Sequence, residues 1–148
     1  MTAAELLSFM REHSLAVQAS VSPAGGVQAA VVGIVVTDGL EVFFDTIDTS
    51  RKVGNLRGNP RIAFVIGGTT GGNECTVQYE GISDEPAGAE LRRLQALYFE
   101  SFPDGRERQS WPGITYIRAK PTWIRYSDFN RDPPEIVEFD LAESIAPA

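Results

Sequence analysis

Two apolar segments joined by Asp38-Gly39 constrain the fold of this chain more than any other feature of its sequence. Residues 27–37 are rich in valine and alanine, and residues 40–45 follow directly after the Asp-Gly pair. Asp-Gly between two apolar runs is a strong hairpin signal, because both residues tolerate the positive φ angles of tight hairpin turns. The two segments are therefore predicted to pair as antiparallel strands.

The other apolar segments also indicate a β-rich chain. Five of them have the length and residue types of strands: residues 15–21, 61–67, 74–83, 114–119 and 122–127. Helices are predicted at residues 3–12, from about Ser50 to the Asn59-Pro60 stop, and at residues 84–102. Strands linked by hairpins and interrupted by helices predict a mainly β fold, a small antiparallel barrel with flanking helices.

Composition and charge narrow the possible functions. The 148 residues carry a formal net charge of −7, which argues against a nucleic-acid partner, because such binding relies on cationic contacts with phosphates. No apolar run has the roughly 20 residues of a membrane helix, and no basic-then-apolar leader is expected. One histidine and one cysteine exclude zinc sites built from those residue types, and no metal site is expected.

The single cysteine, Cys75, excludes an internal disulfide and suits a reducing compartment, so a cytoplasmic location is expected. The chain length predicts one domain over residues 1–148. From about residue 128 a tail that contains Pro133-Pro134 and several acids is expected to lie extended over the domain or over a partner.

The residues that follow the hairpin form the strongest candidate site. A predicted strand ends near Asp45 and a predicted helix begins near Ser50, so Thr46, Ser50, Arg51 and Lys52 meet at a strand-to-helix junction. The free N–H groups and positive dipole end of a helix favour an anion, and Arg and Lys add charge-assisted hydrogen bonds. Two cations in a first helical turn oppose the dipole. The pattern therefore predicts either a phosphate site or a solvated helix start with two surface cations.

Several other residues leave two interpretations open. Trp111, beside polar neighbours, suits either a ligand rim or a surface loop anchored by its indole. Small residues at Ala29, Ala30 and Gly33 permit either the close approach of a flat group or plain sheet packing. Tyr98 suits either core packing with a hydrogen-bonded hydroxyl or contact with a substrate.

The lone histidine and the lone cysteine are not expected to be catalytic. His13 closes the first predicted helix, where a histidine commonly serves as a capping or dipole partner. Cys75 lies on the apolar face of a predicted strand and has no neighbouring histidine to activate its thiol. We expect it to be a small core residue.

One motif in this order of elements resembles a known family. Residues 46–52 read Thr-Ile-Asp-Thr-Ser-Arg-Lys and are followed by Asn-Leu and Asn-Pro-Arg. Over residues 5–127 the chain resembles the pyridoxamine 5'-phosphate oxidase family of FMN-binding split barrels. The resemblance implies a six- to seven-stranded antiparallel split barrel with flanking helices, and a homodimer with FMN at the subunit interface.

The resemblance also implies roles for individual residues. Thr46, Ser50, Arg51 and Lys52 match the family residues that hold the FMN phosphate and ribityl chain. Weaker matches imply further contacts with FMN, from two strands and from a Gln-Ser pair that reaches FMN on the partner subunit: Ala30, Val31, Val32, Thr76, Gln78, Gln109, Ser110 and Trp111.

Three departures from the family concern the substrate. Residues 29–34 lack the Arg-x-x-Leu-Leu-Lys run of the family's enzymes. Of the family's Tyr, Arg and Ser at a spacing of four, only Tyr98 is kept, because Phe102 and Arg106 occupy the other two positions. The C-terminal Arg-Leu-His-Asp-Arg motif is absent. These losses argue against pyridoxamine phosphate as the substrate.

The resemblance therefore implies an FMN-dependent oxidoreductase that transfers hydride to or from an unknown small substrate, with NAD(P)H as a candidate partner. One alternative is a non-enzymatic, stress-related protein that binds flavin. Another is a relative that binds a deazaflavin or haem on the same fold, although His13 is the single imidazole and lies far in sequence from the site.

Overall fold

The computed structural model describes residues 1–141, in which the chain forms four helices and eight strands. The helices are α1 (Ala3–Arg11), α2 (Arg51–Gly58), α3 (Gly88–Ser101) and α4 (Gly105–Arg108). The strands are β1 (Leu15–Val21), β2 (Val27–Gly33), β3 (Val35–Val36), β4 (Val42–Ile47), β5 (Arg61–Gly67), β6 (Cys75–Asp84), β7 (Ile114–Asp128) and β8 (Glu135–Asp140).

The strands form one antiparallel sheet that curls back to its starting point. Its order is β2-β1-β5-β6-β7-β4-β3, and β8 pairs with β7 outside this path. The two end strands, β2 and β3, are consecutive in the chain and are separated by Ile34 alone. An end-to-end path of this kind is the geometry of a barrel, so the predicted mainly β split barrel with flanking helices is confirmed.

The segment predicted as one strand over residues 27–37 is divided in two. The break falls after Gly33, where an added Cβ would lie 2.8 Å from the Phe102 ring. The Ile34 N–H still donates to the Ser14 carbonyl at 2.9 Å, which continues the β1–β2 register by one residue. The chain then enters β3, which pairs with β4 instead. The chain turns a barrel corner here, and glycine allows the ring beyond α3 to approach the backbone closely.

The two strands predicted over residues 114–119 and 122–127 are a single strand, β7. Lys120-Pro121 does not interrupt it, because β7 has a bulge at Thr122, which is left unpaired where the register with β6 shifts between Glu80 and Gly81. Gly81 pairs with Pro121, and a Cβ at Gly81 would collide with the Lys120 carbonyl. A bulge and a glycine thus accommodate a proline that cannot donate to the ladder.

The helix predicted to begin at residue 84 begins at Gly88 instead, because Asp84 continues β6. The guanidinium of Arg118 on β7 donates to both Asp84 oxygens, at 2.9 and 2.6 Å, and to Glu90 at 2.7 Å. Within the tail that was predicted to lie extended from about residue 128, Glu135–Asp140 forms strand β8. The last seven residues of the chain, 142–148, lie outside the described part.

The core fills the barrel with aromatic and aliphatic side chains. Phe64 lies between Phe44 and Tyr79, with ring centroids 6.1 and 5.5 Å away in edge-on geometry. The Tyr79 hydroxyl donates towards the carbonyls of Leu40 and Ala119, at 2.8 and 3.1 Å. None of the four helices within residues 1–141 has the length and apolarity that a membrane span requires.

A polar cluster inside the barrel attaches α2 to β1. The Asn55 amide of α2 donates to Ser20 on β1 at 3.1 Å and to Gln28 on β2 at 3.3 Å. Gln18 lies on β1, two residues from Ser20, and its side chain is fully buried. Neither polar atom of the Gln18 amide bonds to any residue of the described chain. The Asn55 amide is therefore hydrogen-bonded, whereas the Gln18 amide has no partner among the described residues.

The contrast between the two buried amides gives a stability prediction. Gln18→Met keeps an unbranched side chain of similar length and should raise the free energy of unfolding by about 1 kcal/mol, because an unsatisfied amide leaves the interior. Asn55→Leu should lower it by about 1–3 kcal/mol, because it leaves buried Ser20 unpaired. Urea unfolding of both variants tests this, and a less stable Gln18→Met would show that the Gln18 amide is satisfied, for example by buried water.

Candidate functional site

The predicted strand-to-helix junction is present at the end of β4. Ser50 is the N-cap of α2, with φ −69° and ψ 150°, and its N–H donates to the Ile47 carbonyl at 3.0 Å. The Ser50 side chain makes no capping hydrogen bond to α2. Arg51 and Lys52 are the first two helical residues, and the first turn contains no acid.

Three of the four predicted anchor residues bond to one another. The Thr46 and Ser50 hydroxyl oxygens are 3.3 Å apart, and the Lys52 ammonium donates to the Thr46 hydroxyl at 3.4 Å. Arg51 is exposed, and its guanidinium pairs with no carboxylate of residues 1–141. Hydroxyls, cations and free helix N–H groups in one place are the donors that a phosphate group requires.

A cavity of about 340 Å³ opens beside this cluster. It is lined by residues from β4, the turn before α2, α4, the loop after α4 and the start of β7: Asp45, Thr46, Ile47, Thr49, Ser50, Arg108, Trp111 and Ile114. Thr46, Ser50 and Trp111 of the predicted set thus share one cavity. Lys52 does not line the cavity itself, but its ammonium donates to Thr46, which does.

An ion pair in the cavity wall was missed by reasoning from the sequence. Arg108 Nε donates to Asp45 Oδ2 at 2.8 Å, and the two side chains are only 18 and 10 % exposed. Arg108 Nη1 also donates to Asp104 at 2.7 Å. Arg108 directly precedes the Gln-Ser pair and Asp45 directly precedes Thr46, which was the available signal. Burial alone would lower the pKa of Arg108, but the hydrogen bond and charge of Asp45 raise it.

Tyr98 is part of the same network and is not free to bind a ligand. It is 2 % exposed, and its hydroxyl donates to Asp45 Oδ1 at 3.1 Å. Burial, together with the charge and hydrogen bond of Asp45, raises the pKa of Tyr98 far above its ordinary value. The residue therefore stays a neutral donor, and of its two sequence interpretations the structure supports packing with a bonded hydroxyl.

The loop after α4 brings Trp111 to the cavity but directs its two neighbours elsewhere. Gln109 and Ser110 are exposed and donate to the carbonyls of Arg106 and Glu107, at 3.2 and 3.1 Å. Trp111 is 52 % exposed at the cavity rim. Neither Gln109 nor Ser110 lines the cavity.

The five predicted strand residues lie on other strands of the barrel, away from this cavity. Val31 and Gln78 share the outer face of the sheet, where pairing gives a row of Val31, Val17, Val65 and Gln78 across β2, β1, β5 and β6. Ala30 and Val32 alternate to the opposite side. The Thr76 hydroxyl donates to the Gly67 carbonyl at 3.2 Å.

The single histidine and cysteine lie outside the cavity lining. His13 Nδ1 is 2.9 Å from the Phe9 carbonyl, and His13 borders a different cavity of about 200 Å³. The Cys75 sulfur accepts hydrogen bonds from the Tyr126 hydroxyl and the Asn130 amide, at 3.5 and 3.4 Å.

An antiparallel barrel with a cation-rich junction between a strand and a helix is the arrangement expected from the sequence resemblance. The sequence profile of the family described as "Pyridoxamine 5'-phosphate oxidase" matches residues 2–128, most of the chain. The protein belongs to the pyridoxamine 5'-phosphate oxidase family. A comparison with curated protein sequences gives no significant match.

Solved structures with different ligands in their names share this fold. A haem-binding protein from Mycobacterium smegmatis superposes with a TM-score of 0.80 at 16 % identity, over 95 % of this chain and 58 % of its own. HutZ, the haem storage protein from Vibrio cholerae, gives 0.70 at 14 %, over 80 % and 88 % of the two chains. A pyridoxamine 5'-phosphate oxidase-related, FMN-binding protein from Nostoc punctiforme gives 0.67 at 12 %, over 97 % and 94 %.

These identities establish the shared fold alone. This chain spans less than two thirds of the length of the Mycobacterium smegmatis protein, whereas it spans most of the other two. Which ligand the present chain takes must therefore be argued from its own residues.

Proposed function

We propose that this protein is a homodimeric FMN-binding oxidoreductase that supports hydride transfer to or from a small substrate, with NAD(P)H as a candidate partner. The observation that carries the proposal is the Thr46, Ser50 and Lys52 cluster at the start of α2, with Arg51 beside it. The lone cysteine suits a reducing compartment, and we propose the cytoplasm.

The donors at this junction fit the phosphate end of FMN. A phosphate monoester carries nearly two negative charges at neutral pH, and Arg51 and Lys52 supply two positive charges. The uncapped Ser50 hydroxyl, the Thr46 hydroxyl and the first N–H groups of α2 supply neutral donors. The Trp111 indole at the cavity rim offers an apolar surface to the remainder of the ligand.

The protein's part in the reaction would be binding and orientation. FMN supplies hydride acceptance and donation when it is bound. Arg51 and Lys52 would hold the phosphate, and Thr46 and Ser50 would fix its orientation. Among the described residues that line the cavity, the titratable side chains are Asp45 and Arg108, and they are paired with each other. Neither is a free general acid or base, and Tyr98 behind them is a neutral donor bonded to Asp45.

Pyridoxamine phosphate fits this site poorly. Tyr98 is the one residue kept from the family's substrate-phosphate set, and its hydroxyl already serves Asp45. Phe102 stands where the family has arginine, and its ring stacks on Tyr98 with centroids 4.8 Å apart. A phosphorylated substrate would find apolar rings where the family's enzymes present a cation. We propose a different, unphosphorylated substrate.

The outer face of the sheet supports a homodimer. Strands β1, β2 and β5 present a row of small and β-branched side chains there, with Val27, Val31 and Val65 being 83, 65 and 42 % exposed. A continuous apolar face of this kind commonly marks an interaction site. A second copy would cover it and would bring Gln78, and Gln109 or Ser110, towards an FMN anchored on one protomer.

Three alternatives are compatible with the same fold. The haem-binding names of two structural neighbours favour haem, although the single imidazole, His13, borders another cavity and its Nδ1 contacts the Phe9 carbonyl. A non-enzymatic role, in flavin storage or stress, would use the same phosphate anchor without turnover. A deazaflavin would also present a phosphate to it.

The anchor is tested by removing both cations. Arg51→Ala/Lys52→Ala should weaken FMN binding by at least about a hundredfold, because hydrogen bonds to charged groups each contribute about 1.5–3 kcal/mol. Flavin fluorescence titration measures the affinity, and thermal unfolding should show an intact fold because Arg51 is exposed. Arg92→Ala/Arg106→Ala, which removes two exposed cations outside α2, should bind FMN normally. Unchanged affinity in the first variant would refute the anchor.

The ligand and the activity are tested on the purified native protein. Bound FMN should give the two-band flavin spectrum, whereas haem would give a single intense Soret band, and mass analysis of the released ligand separates FMN from a deazaflavin. Sustained NAD(P)H consumption by the FMN-loaded protein is expected for the enzyme. Flavin binding without turnover under a range of acceptors would favour the storage alternative.

The dimer is tested by placing a charge on the outer face. Val65→Glu should give a monomer in sedimentation velocity, because association would bury an unpaired carboxylate, and FMN affinity should fall with it. Phe129→Glu, a substitution at an exposed aromatic outside that face, should leave both properties unchanged. A wild-type protein that sediments as a monomer at high concentration would contradict the dimer.

A further inference from the structure

The Asp45–Arg108 ion pair joins the two elements that form the phosphate cavity. Asp45 lies on β4 next to Thr46, and Arg108 ends α4 three residues before Trp111. Both side chains line the cavity and are largely withdrawn from solvent. The pair thus connects the strand that carries the anchor with the loop that carries the indole.

The Trp111 loop, residues 109–113 between α4 and β7, makes few other polar contacts with the β4 side of the cavity. Asp48 N–H donates to the Gly113 carbonyl at 2.8 Å, and a Cβ at Gly113 would collide with the Asp48 carboxylate. The Trp111 N–H bonds back to the Arg108 carbonyl at 2.9 Å. Arg108 and Trp111 are therefore joined by a short turn that this backbone hydrogen bond closes, so the position of Trp111 depends on that of Arg108.

Asp45 also presents an electrostatic problem for an anion site. Its carboxylate is in the wall of the cavity, and an unpaired negative charge there would repel a phosphate strongly in these partly desolvated surroundings. Tyr98 donates one neutral hydrogen bond to Asp45 but cannot cancel its charge. Arg108 supplies the cancelling charge at 2.8 Å.

We propose that Arg108 is a positioning residue of the phosphate site, with two separable effects. It neutralises Asp45, so that Arg51 and Lys52 act on the phosphate without an opposing charge in the wall, and it holds Trp111 at the cavity rim. Arg108 acts through Asp45 and through the loop and not by contact with the phosphate, because its guanidinium N–H groups donate to Asp45 and Asp104. The inference deepens the proposed function and rests on it for the phosphate ligand.

The two effects are separated by a set of four variants. Arg108→Met keeps an unbranched side chain and removes the charge, Asp45→Asn removes the opposing charge, and the double variant removes both. Arg106→Met is the matched control, because Arg106 is an exposed cation of the same helix, two residues away. All are made in a Trp123→Phe background, which leaves Trp111 as the single tryptophan.

Arg108→Met should weaken FMN binding by at least about tenfold, as expected for the loss of a hydrogen-bonded partner of a charged group. The double variant should recover part of that loss, because the repelling carboxylate is gone. In Arg108→Met and in the double variant, Trp111 fluorescence should shift to the red and the indole should be quenched more by acrylamide, because the loop is no longer held by Arg108. Arg106→Met should match the parent in affinity and emission.

Each contrary result has a definite meaning. Equal affinity losses in Arg108→Met and the double variant would overturn the charge-neutralising effect, and an unchanged Trp111 emission would overturn the loop-holding effect. Thermal unfolding identifies a variant that has lost its fold. If Arg108→Met has done so, Arg108→Lys replaces it in the test, because lysine restores the charge without the paired N–H groups. Recovery of FMN affinity in Arg108→Lys would then support the charge-neutralising effect, and no recovery would overturn it. If the parent binds no FMN, the proposed function fails, and Trp111 emission in Arg108→Met alone decides whether Arg108 positions the loop.

Discussion

Two cations at the positive end of α2 are retained because the helix is fixed from its other side. The dipole disfavours Arg51 and Lys52 in the first turn. Fraying of that turn would relieve the conflict, but Val53 and Leu56 are buried and Asn55 bonds to β1 and β2 from the barrel interior. Tertiary packing thus holds an unfavourable local charge arrangement in place, and a bound anion would make that arrangement favourable.

The same junction explains why a small cavity forms here. Strand β4 delivers Asp45 and Thr46 with their backbone fixed by pairing to β7, and β7 itself begins at the end of the Trp111 loop. The cavity walls therefore come from segments that a single strand pair ties together. A site built in this way needs few additional contacts to keep its donors aligned, and the largely buried Asp45–Arg108 pair supplies one of them.

The barrel by itself does not select a cofactor. Structures named for haem and for FMN share it at 12–16 % identity, and a fold that hosts several ligands leaves the choice to its side chains. In this chain the phosphate-type donors are gathered at α2, whereas the lone imidazole lies elsewhere. Beside Tyr98, Phe102 stands where the resemblance places an arginine, and its ring stacks on Tyr98. The proposal of an unphosphorylated substrate depends on this replacement.

Features whose signals lie within about ten residues were determined by the sequence: a hairpin around Asp38-Gly39, the strand-to-helix junction, and Ser50, Arg51 and Lys52 at the helix start. In the hairpin only Val35 and Val36 pair with β4, and Leu40 takes the positive φ that was expected at Asp38 and Gly39. Only the tertiary structure decided where strands bend or continue, because the break at Gly33 depends on the Phe102 ring and the continuous strand through Pro121 depends on a bulge at Thr122 of β7. It also decided that Asp45 meets Arg108 across 63 residues. Buried ion pairs of that kind depend on which elements the closed barrel makes neighbours, and no local pattern of residues contains that information.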